Sequence, residues 1–268
     1  RPSMGIQSFQ PELLQFMHRA HNREEATQSL EMLTSAGFST FSVDLIYGNP
    51  GQSVEALEKD IDRLLSYDPP HISAYSLTIE PQTGLGKQVK LGRLKPIEEK
   101  TALEHYNVIV KRLNDAGIQQ YEISNYSRHG HEALHNRNYW LHKNYLGFGP
   151  GAHSFWKMKS PNGATRWHVT ESIQEYLKSE SDEKIMETED ISRRQLAEER
   201  VMLGLRTRSG ISAQELDEQY NYRFSQEQKK FLKQLLEHGQ AENQGETIRL
   251  THEGRKIADT ITVDLLSK

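Results

Sequence analysis

The sequence predicts an α/β fold over its first half and an α-helical, winged-helix-like domain at its end. Two observations carry this. Apolar, strand-like runs alternate with helix-like runs through short connections up to about residue 126. Alternation of that kind implies a parallel sheet with crossover helices, either open or closed into a barrel-like arc. From Arg193 onward, three helical patterns lead into two short strand patterns separated by a glycine turn.

The elements follow in order. Ser3 to Phe9 is short and extended, and Pro11 opens a helix. Arg23-Glu24-Glu25 begins a second helix, with Ala26, Leu30 and Leu33 at helical spacing and Gly37 as its stop. Phe41 to Gly48 is a mostly apolar strand that contains Asp44. Ser53 caps a helix whose inner face is Leu57, Ile61, Leu64 and Leu65. His71 to Ile79 is the next strand, and Ile97 to Gly117 is a long helix with Leu103, Tyr106, Ile109, Val110 and Leu113 inward. Tyr121 to Tyr126 is again extended. In either form of such a sheet, function collects at the carboxyl ends of the strands, where Gln7, Asp44, Tyr75 and Ser76 are expected. Residues 127–170 are rich in Gly, His and aromatics, and residues 171–192 are polar and acidic, a boundary by composition. The tail then gives helices at about 193–208, 212–220 and 225–239, strands Gln240 to Gln244 and Thr247 to Leu250, and a last helix to Leu266. Three parts are expected: 1–126, 127–192 and 193–268.

Composition excludes several classes. There is no cysteine, so no disulfide, cysteine nucleophile or thiolate-held zinc or iron–sulfur site can come from these residues. No apolar run reaches the length of a membrane span, and Arg1 to Met4 lacks the succession of a signal peptide. A net charge of −4 argues against broad nucleic-acid binding.

The residue types point to a few candidate sites. Gly48-Asn49-Pro50-Gly51-Gln52-Ser53 joins a strand to a helix and reads either as an anion-facing loop or as a tight turn with a cap. Its spacing fits neither a P-loop nor a dinucleotide fingerprint. Asp44 inside an apolar strand needs a partner, because an unpaired buried carboxylate costs several kcal/mol. That partner is either a neighbouring loop or a ligand's hydroxyls or amine, with Gln7 and Arg19 able to converge on the same mouth. His18 and His21 flank Arg19 at helix-compatible spacing, without a third ligand near in sequence for a metal. His129 and His131 read as solvated. His135-Asn136-Arg137-Asn138-Tyr139-Trp140 sets an imidazole beside flat aromatic surface, which suits a planar macrocycle. The competing reading is a loop whose Tyr139 and Trp140 plug the core. Arg206, Arg208, Lys229, Lys230 and Lys233 could serve a DNA-reading tail, but acidic residues interleave with them.

Five ordered stretches carry a resemblance: Gly5 to Phe9, Asp44 to Gln52, Tyr75 to Pro81, Tyr121 to Tyr126 and His135 to Trp140. Together they resemble the radical-SAM family related to oxygen-independent coproporphyrinogen III oxidase, and within it the heme-chaperone branch. The resemblance covers nearly the whole chain. It implies a partial (βα)6 radical-SAM barrel, of which only the later strands are present, with the winged-helix-like domain after it. It also implies a 4Fe–4S cluster on a Cys-x3-Cys-x2-Cys motif, with S-adenosylmethionine at the cluster's open iron. By motif position Gln7, Arg19 and Asp44 match contacts to S-adenosylmethionine, and His135 is the candidate heme contact, with Tyr139 and Trp140 flanking it. The implied activity is heme binding and delivery to apo-haemoproteins, including those of the respiratory chain, in the cytoplasm, without nucleic acid. The alternative is the oxidase itself, which decarboxylates propionates. The oxidase typically has Lys where Gly51 stands and lacks the aromatic motif. The cluster cysteines are absent here, so the cluster's ligands are expected outside this chain, on a segment preceding Arg1.

Overall fold

The computed structural model describes residues 1–157, 163–179 and 185–268. The chain divides into two compact units, Arg1–Glu132 and Ala133–Lys268.

The first unit runs β1 (Ser3–Gln7), α1 (Pro11–Phe16), α2 (Arg23–Ser35), β2 (Ser42–Tyr47), α3 (Val54–Leu65), β3 (His71–Ser76), α4 (Gly84–Lys90), α5 (Glu99–Asp115), β4 (Gln119–Gln120) and β5 (Asn125–Ser127). One sheet has the order β1-β2-β3-β5-β4. The first three strands are parallel. The helices start where capping predicts: Asn22 and Glu25 form a capping box on α2, and the Ser53 hydroxyl accepts the Ala56 amide on α3. Leu30 of α2, Leu57, Ile61 and Leu64 of α3, and Ile109 and Leu113 of α5 pack against Ile6, Val43, Leu45 and Ile72 of the sheet. Burial of this apolar area, at about 25 cal/mol per Å², is the main force holding the unit together.

Four details differ from the sequence reading. The last pairing is antiparallel, β5 against β3 and β4 against β5, so the final extended segment is a hairpin arm and not another βα unit. Only Asn125 to Ser127 of that arm is strand, because the Glu122 carboxylate accepts the Ser124 amide and the Asn125 side-chain amide and bends the chain. The third strand ends at Ser76, and Thr83 then caps the unexpected short helix α4. On α5 it is His105, not Leu103, that is buried.

The second unit runs α6 (Leu134–Trp140), β6 (His153–Lys157), β7 (Ala164–Val169), α7 (Ile173–Lys178), β8 (Met186–Ile191), α8 (Arg193–Leu205), β9 (Ile211–Ser212), α9 (Ala213–Tyr220), α10 (Gln226–Glu237), β10 (Ala241–Gln244), β11 (Thr247–Leu250), α11 (His252–Arg255) and α12 (Ala258–Leu266). The winged-helix pattern is present: α8, α9 and α10 precede the β10–β11 hairpin, which β9 extends to three strands. The last helix is split into α11 and α12 at Lys256–Ile257. The antiparallel sheet β6-β7-β8 was not legible as strands. Its outer member, Met-Glu-Thr-Glu-Asp-Ile, is mostly exposed and acidic, so composition disguised an edge strand as a boundary. Part of that boundary, 180–184, lies outside the described residues.

Candidate functional site

The parallel register builds a polar face on the first unit. Ser3, Ser42, His71 and Ser127 form one rung across four strands, and Gly5, Asp44, Ser73 and Asn125 form another. Between them lies the apolar rung Met4, Val43, Ile72 and Tyr126, which faces the helices. Side-chain alternation therefore separates core from site residue by residue.

Asp44 stands in the middle of β2 rather than at its carboxyl end. Its Oδ1 accepts the Ser3 and Ser42 hydroxyls, each at 3.4 Å. Burial pushes its carboxyl up from the usual range, against the hydroxyls of Ser73, Ser3 and Ser42 and the charge of Arg1. Ser42 Oγ also meets His71 Nδ1 at 2.8 Å, and His71 Nε2 meets the Tyr121 hydroxyl at 2.8 Å. His71 is 1% exposed, and burial lowers its pKa to about 3. It is a neutral imidazole with both nitrogens bonded. This Tyr121–His71–Ser42–Asp44 network was not found in the sequence; a histidine opening an apolar strand was its one signal.

Gln7 closes β1 in the left-handed region, φ +65, and the register slips between Gly5 and Gln7. A side chain at Gly5 would lie 2.5 Å from Gln7 Nε2, so the Gln7 amide folds over the Gly5 α-carbon onto the face of Asp44. Its Oε1 is buried with no hydrogen-bond partner. A buried acceptor of this kind needs a ligand or water. The backbone strain, about 1–2 kcal/mol for a non-glycine residue, is held by the next residues. Asp60 on α3 accepts the Ser8 hydroxyl, the Phe9 amide at 3.0 Å and the Gln10 side-chain amide at 3.0 Å.

Arg19 is exposed just beyond α1, its amide bonded to the Leu14 carbonyl at 3.0 Å. His18 sits in the left-handed region outside the helix, and His21 Nε2 meets the Ile6 carbonyl oxygen at 3.1 Å, so the two do not share a helical face. His129 is exposed, and His131 is half-buried with its Nδ1 3.1 Å from Thr40 Oγ1. The Gly48–Ser53 loop is a self-bonded turn. Gln52 Oε1 accepts the Asn49 amide at 3.2 Å, and Asn49 Nδ2 donates to Ile46 O at 3.2 Å.

In the second unit His135 is exposed on α6, and its Nε2 meets the Tyr139 hydroxyl at 3.0 Å. Tyr139 packs edge-on to Tyr145 at 4.6 Å. The segment is a helix rather than a loop, and Tyr139 is exposed rather than a core plug. Below it, His142 stacks on Phe155 at 4.6 Å, and Glu199 accepts from His142 at 3.0 Å and from Arg166 at 2.7 Å.

Two family models match the chain: the radical SAM superfamily over residues 1–64 and the HemN C-terminal domain over 191–257. Heme chaperone HemW of Bacillus subtilis is 33% identical over 97% of this chain and 68% of its own length. The chain belongs to the HemW family. Heme chaperone HemW of Lactococcus lactis is 30% identical over 97% of this chain and 67% of the relative. The fold is that of the Escherichia coli coproporphyrinogen III oxidase HemN, a radical SAM enzyme, with a TM-score of 0.77 at 19% identity over 98% of this chain and 63% of that one.

Within this HemW-family chain, the structure brings Gln7 and Asp44 onto one face, whereas Arg19 stands on an exposed connection. The unpartnered Gln7 oxygen and the Asp44 carboxylate fit a ligand with an amine and hydroxyls. An iron–sulfur cluster does not fit: the 268 residues hold no thiolate, and no group of three or more His, Asp or Glu could hold a metal among the described residues. Sequence reasoning also missed Asp60, which reads as an ordinary helix-surface acid until the chain before it is placed.

Proposed function

We propose that this chain binds heme and hands it to apo-haemoproteins, including those of the respiratory chain, as a cytoplasmic heme chaperone. The observation that carries this is the match, over 97% of the chain, to relatives named heme chaperones. His135, paired with Tyr139 beside Tyr145, is the heme contact on this reading, and residues 127–192 form the segment that presents it. No helix among the described residues is long and apolar enough to cross a membrane.

Gln7, Arg19 and Asp44 hold S-adenosylmethionine on the same reading. The Asp44 carboxylate accepts from the amine or ribose hydroxyls, the Gln7 amide supplies the unpartnered acceptor, and Arg19 pairs the ligand carboxylate. When bound in the family, S-adenosylmethionine and its cluster supply one-electron chemistry; the residues of this chain bind and orient the former only.

The test is a hemin titration of the full-length protein. It binds about one heme, and His135→Ala weakens that binding. Unchanged affinity and spectra in the variant would remove His135 from the site. Full-length, cluster-reconstituted protein given coproporphyrinogen III and reductant does not form protoporphyrinogen. Robust product would replace the chaperone reading with the oxidase.

A further inference from the structure

The sheet β6-β7-β8 places two imidazoles and a carboxylate on one rung. His153 stands opposite His168, and His168 stands opposite Glu187. The Val169 amide donates to the Ala152 carbonyl at 2.9 Å, which makes Ala152–Val169 a hydrogen-bonded pair. The next rung, His153–His168, is then a non-hydrogen-bonded one, where facing side chains come closest. The two imidazoles stack with centroids 5.2 Å apart and planes within 19°. Glu187 Oε2 lies 3.7 Å from His168 Nδ1. A cross-strand pair of this kind contributes only about 0.2–1 kcal/mol to a sheet, so packing alone gives little reason for two adjacent imidazoles.

The neighbouring segment supplies apolar surface. Tyr145 bridges Phe155, and a side chain at Gly147 would meet the His153 carbonyl oxygen at 2.4 Å. Leu146, Gly147 and Phe148 therefore run alongside His153. Both flanking side chains point to solvent, Phe148 at 89% exposure. Gly149 and Gly151 turn the chain back with φ of +96 and +69.

We propose that this rung is an iron-ligating site for heme, with His168 as the axial imidazole. This rests on the heme reading above and names the iron ligand within it. A metal-ligating histidine characteristically donates its other ring N–H to a carboxylate, which fixes its tautomer. Glu187, an exposed carboxylate 3.7 Å from Nδ1, is the group within reach to take that role on ligation, which would leave Nε2 to give its lone pair to the iron. His153 restrains the ring plane by stacking, and Phe148 and Leu146 cover part of a porphyrin face. His135 is less suited to ligation, because its Nε2 already meets the Tyr139 hydroxyl. It sits on a seven-residue helix, whereas His168 is on the central strand of a sheet, the more rigid support. His135 then positions the macrocycle.

The experiment is a hemin titration of the full-length protein with absorption and electron paramagnetic resonance spectra. Wild type gives an imidazole-ligated signature. His168→Ala loses that signature and weakens binding at least tenfold, and free imidazole restores the signature, which a merely misfolded variant would not allow. Glu187→Gln weakens binding several-fold, and His135→Ala lowers affinity while keeping the signature. Wild-type affinity and signature in His168→Ala would overturn the assignment and leave the heme reading in place. No hemin binding by wild type would remove the reading and this site together.

Discussion

At the scale of single residues, the polar face sets two opposed pH dependences. His71 has a folded-state pKa depressed to about 3, well below that of a free imidazole. The unfolded chain therefore binds more protons between those values, and stability is lost as pH falls through that window, by up to roughly 5 kcal/mol near pH 3. His71→Gln is expected to cost about 1–3 kcal/mol at pH 7.5, from the loss of its two short bonds to the Ser42 and Tyr121 hydroxyls. The gap narrows by pH 4.5 because only the wild type has an imidazole to protonate. Urea titrations at both pH values read this, and a gap independent of pH would dismiss the buried neutral imidazole. Asp44 works the other way. Burial raises its folded pKa, so stability is full below the unfolded pKa and is lost as pH rises through the folded one. Asp44→Asn is therefore as stable as wild type or slightly more so at pH 7.5, by about 1 kcal/mol at most, while S-adenosylmethionine affinity in the full-length protein falls at least tenfold. A variant both less stable and undiminished in affinity would show a structural carboxylate only. A residue retained at a cost in stability is what a binding role explains.

At the scale of elements, α3 does more than cover the sheet. Asp60 is fully buried on it and accepts from Ser8, Phe9 and Gln10, the residues that follow the left-handed Gln7. Asp60→Ala strands buried neutral donors and is expected to cost about 1–3 kcal/mol. Asp60→Asn retains one acceptor oxygen and costs less. In that milder variant the full-length protein binds S-adenosylmethionine more weakly at unchanged hemin affinity, as calorimetry of both ligands would show; equal losses of both would mean general loosening. The elements also show what was legible. Ala26, Leu30 and Leu33 repeat at helical spacing before Gly37, and α2 lies where that pattern put it. The β6-β7-β8 sheet was hidden because both faces of β8 meet water over Glu187 to Asp190 and its residues are mostly acidic, so alternation was lost. Of the candidate site, the shared face of Gln7 and Asp44 was legible in the sequence. His71 and Asp60 were not, because their partners are 29 to 52 residues away and only the sheet register brings them close.

At the scale of the whole molecule, charge decides what the winged-helix-like tail can bind. A DNA-reading module of this shape presents a basic face to phosphates, and each phosphate neutralised adds about 0.9 to the salt slope. Here several of the cations are already paired. Arg200 meets Glu215 at 2.8 Å, Arg206 meets Asp259 at 2.6 Å, and Arg223 meets Asp217 at 2.9 Å. On the third helix Lys233 lies 3.6 Å from Glu237, and on the wing Arg249 meets Glu242 at 2.7 Å. The exposed ones among these pairs add about 0–1 kcal/mol each to stability, but all of them weaken the field a phosphate would feel. Over the full chain the balance is −4, so no long-range attraction compensates. The protein is therefore expected to show no binding to duplex DNA by fluorescence anisotropy at 50 mM salt. Charge reversals at Glu237 and Glu242 to Lys are expected to create weak, sequence-independent binding that vanishes by 200 mM. Tight wild-type binding with a steep salt slope would show that a basic surface survives this pairing, and would make the tail a nucleic-acid module after all.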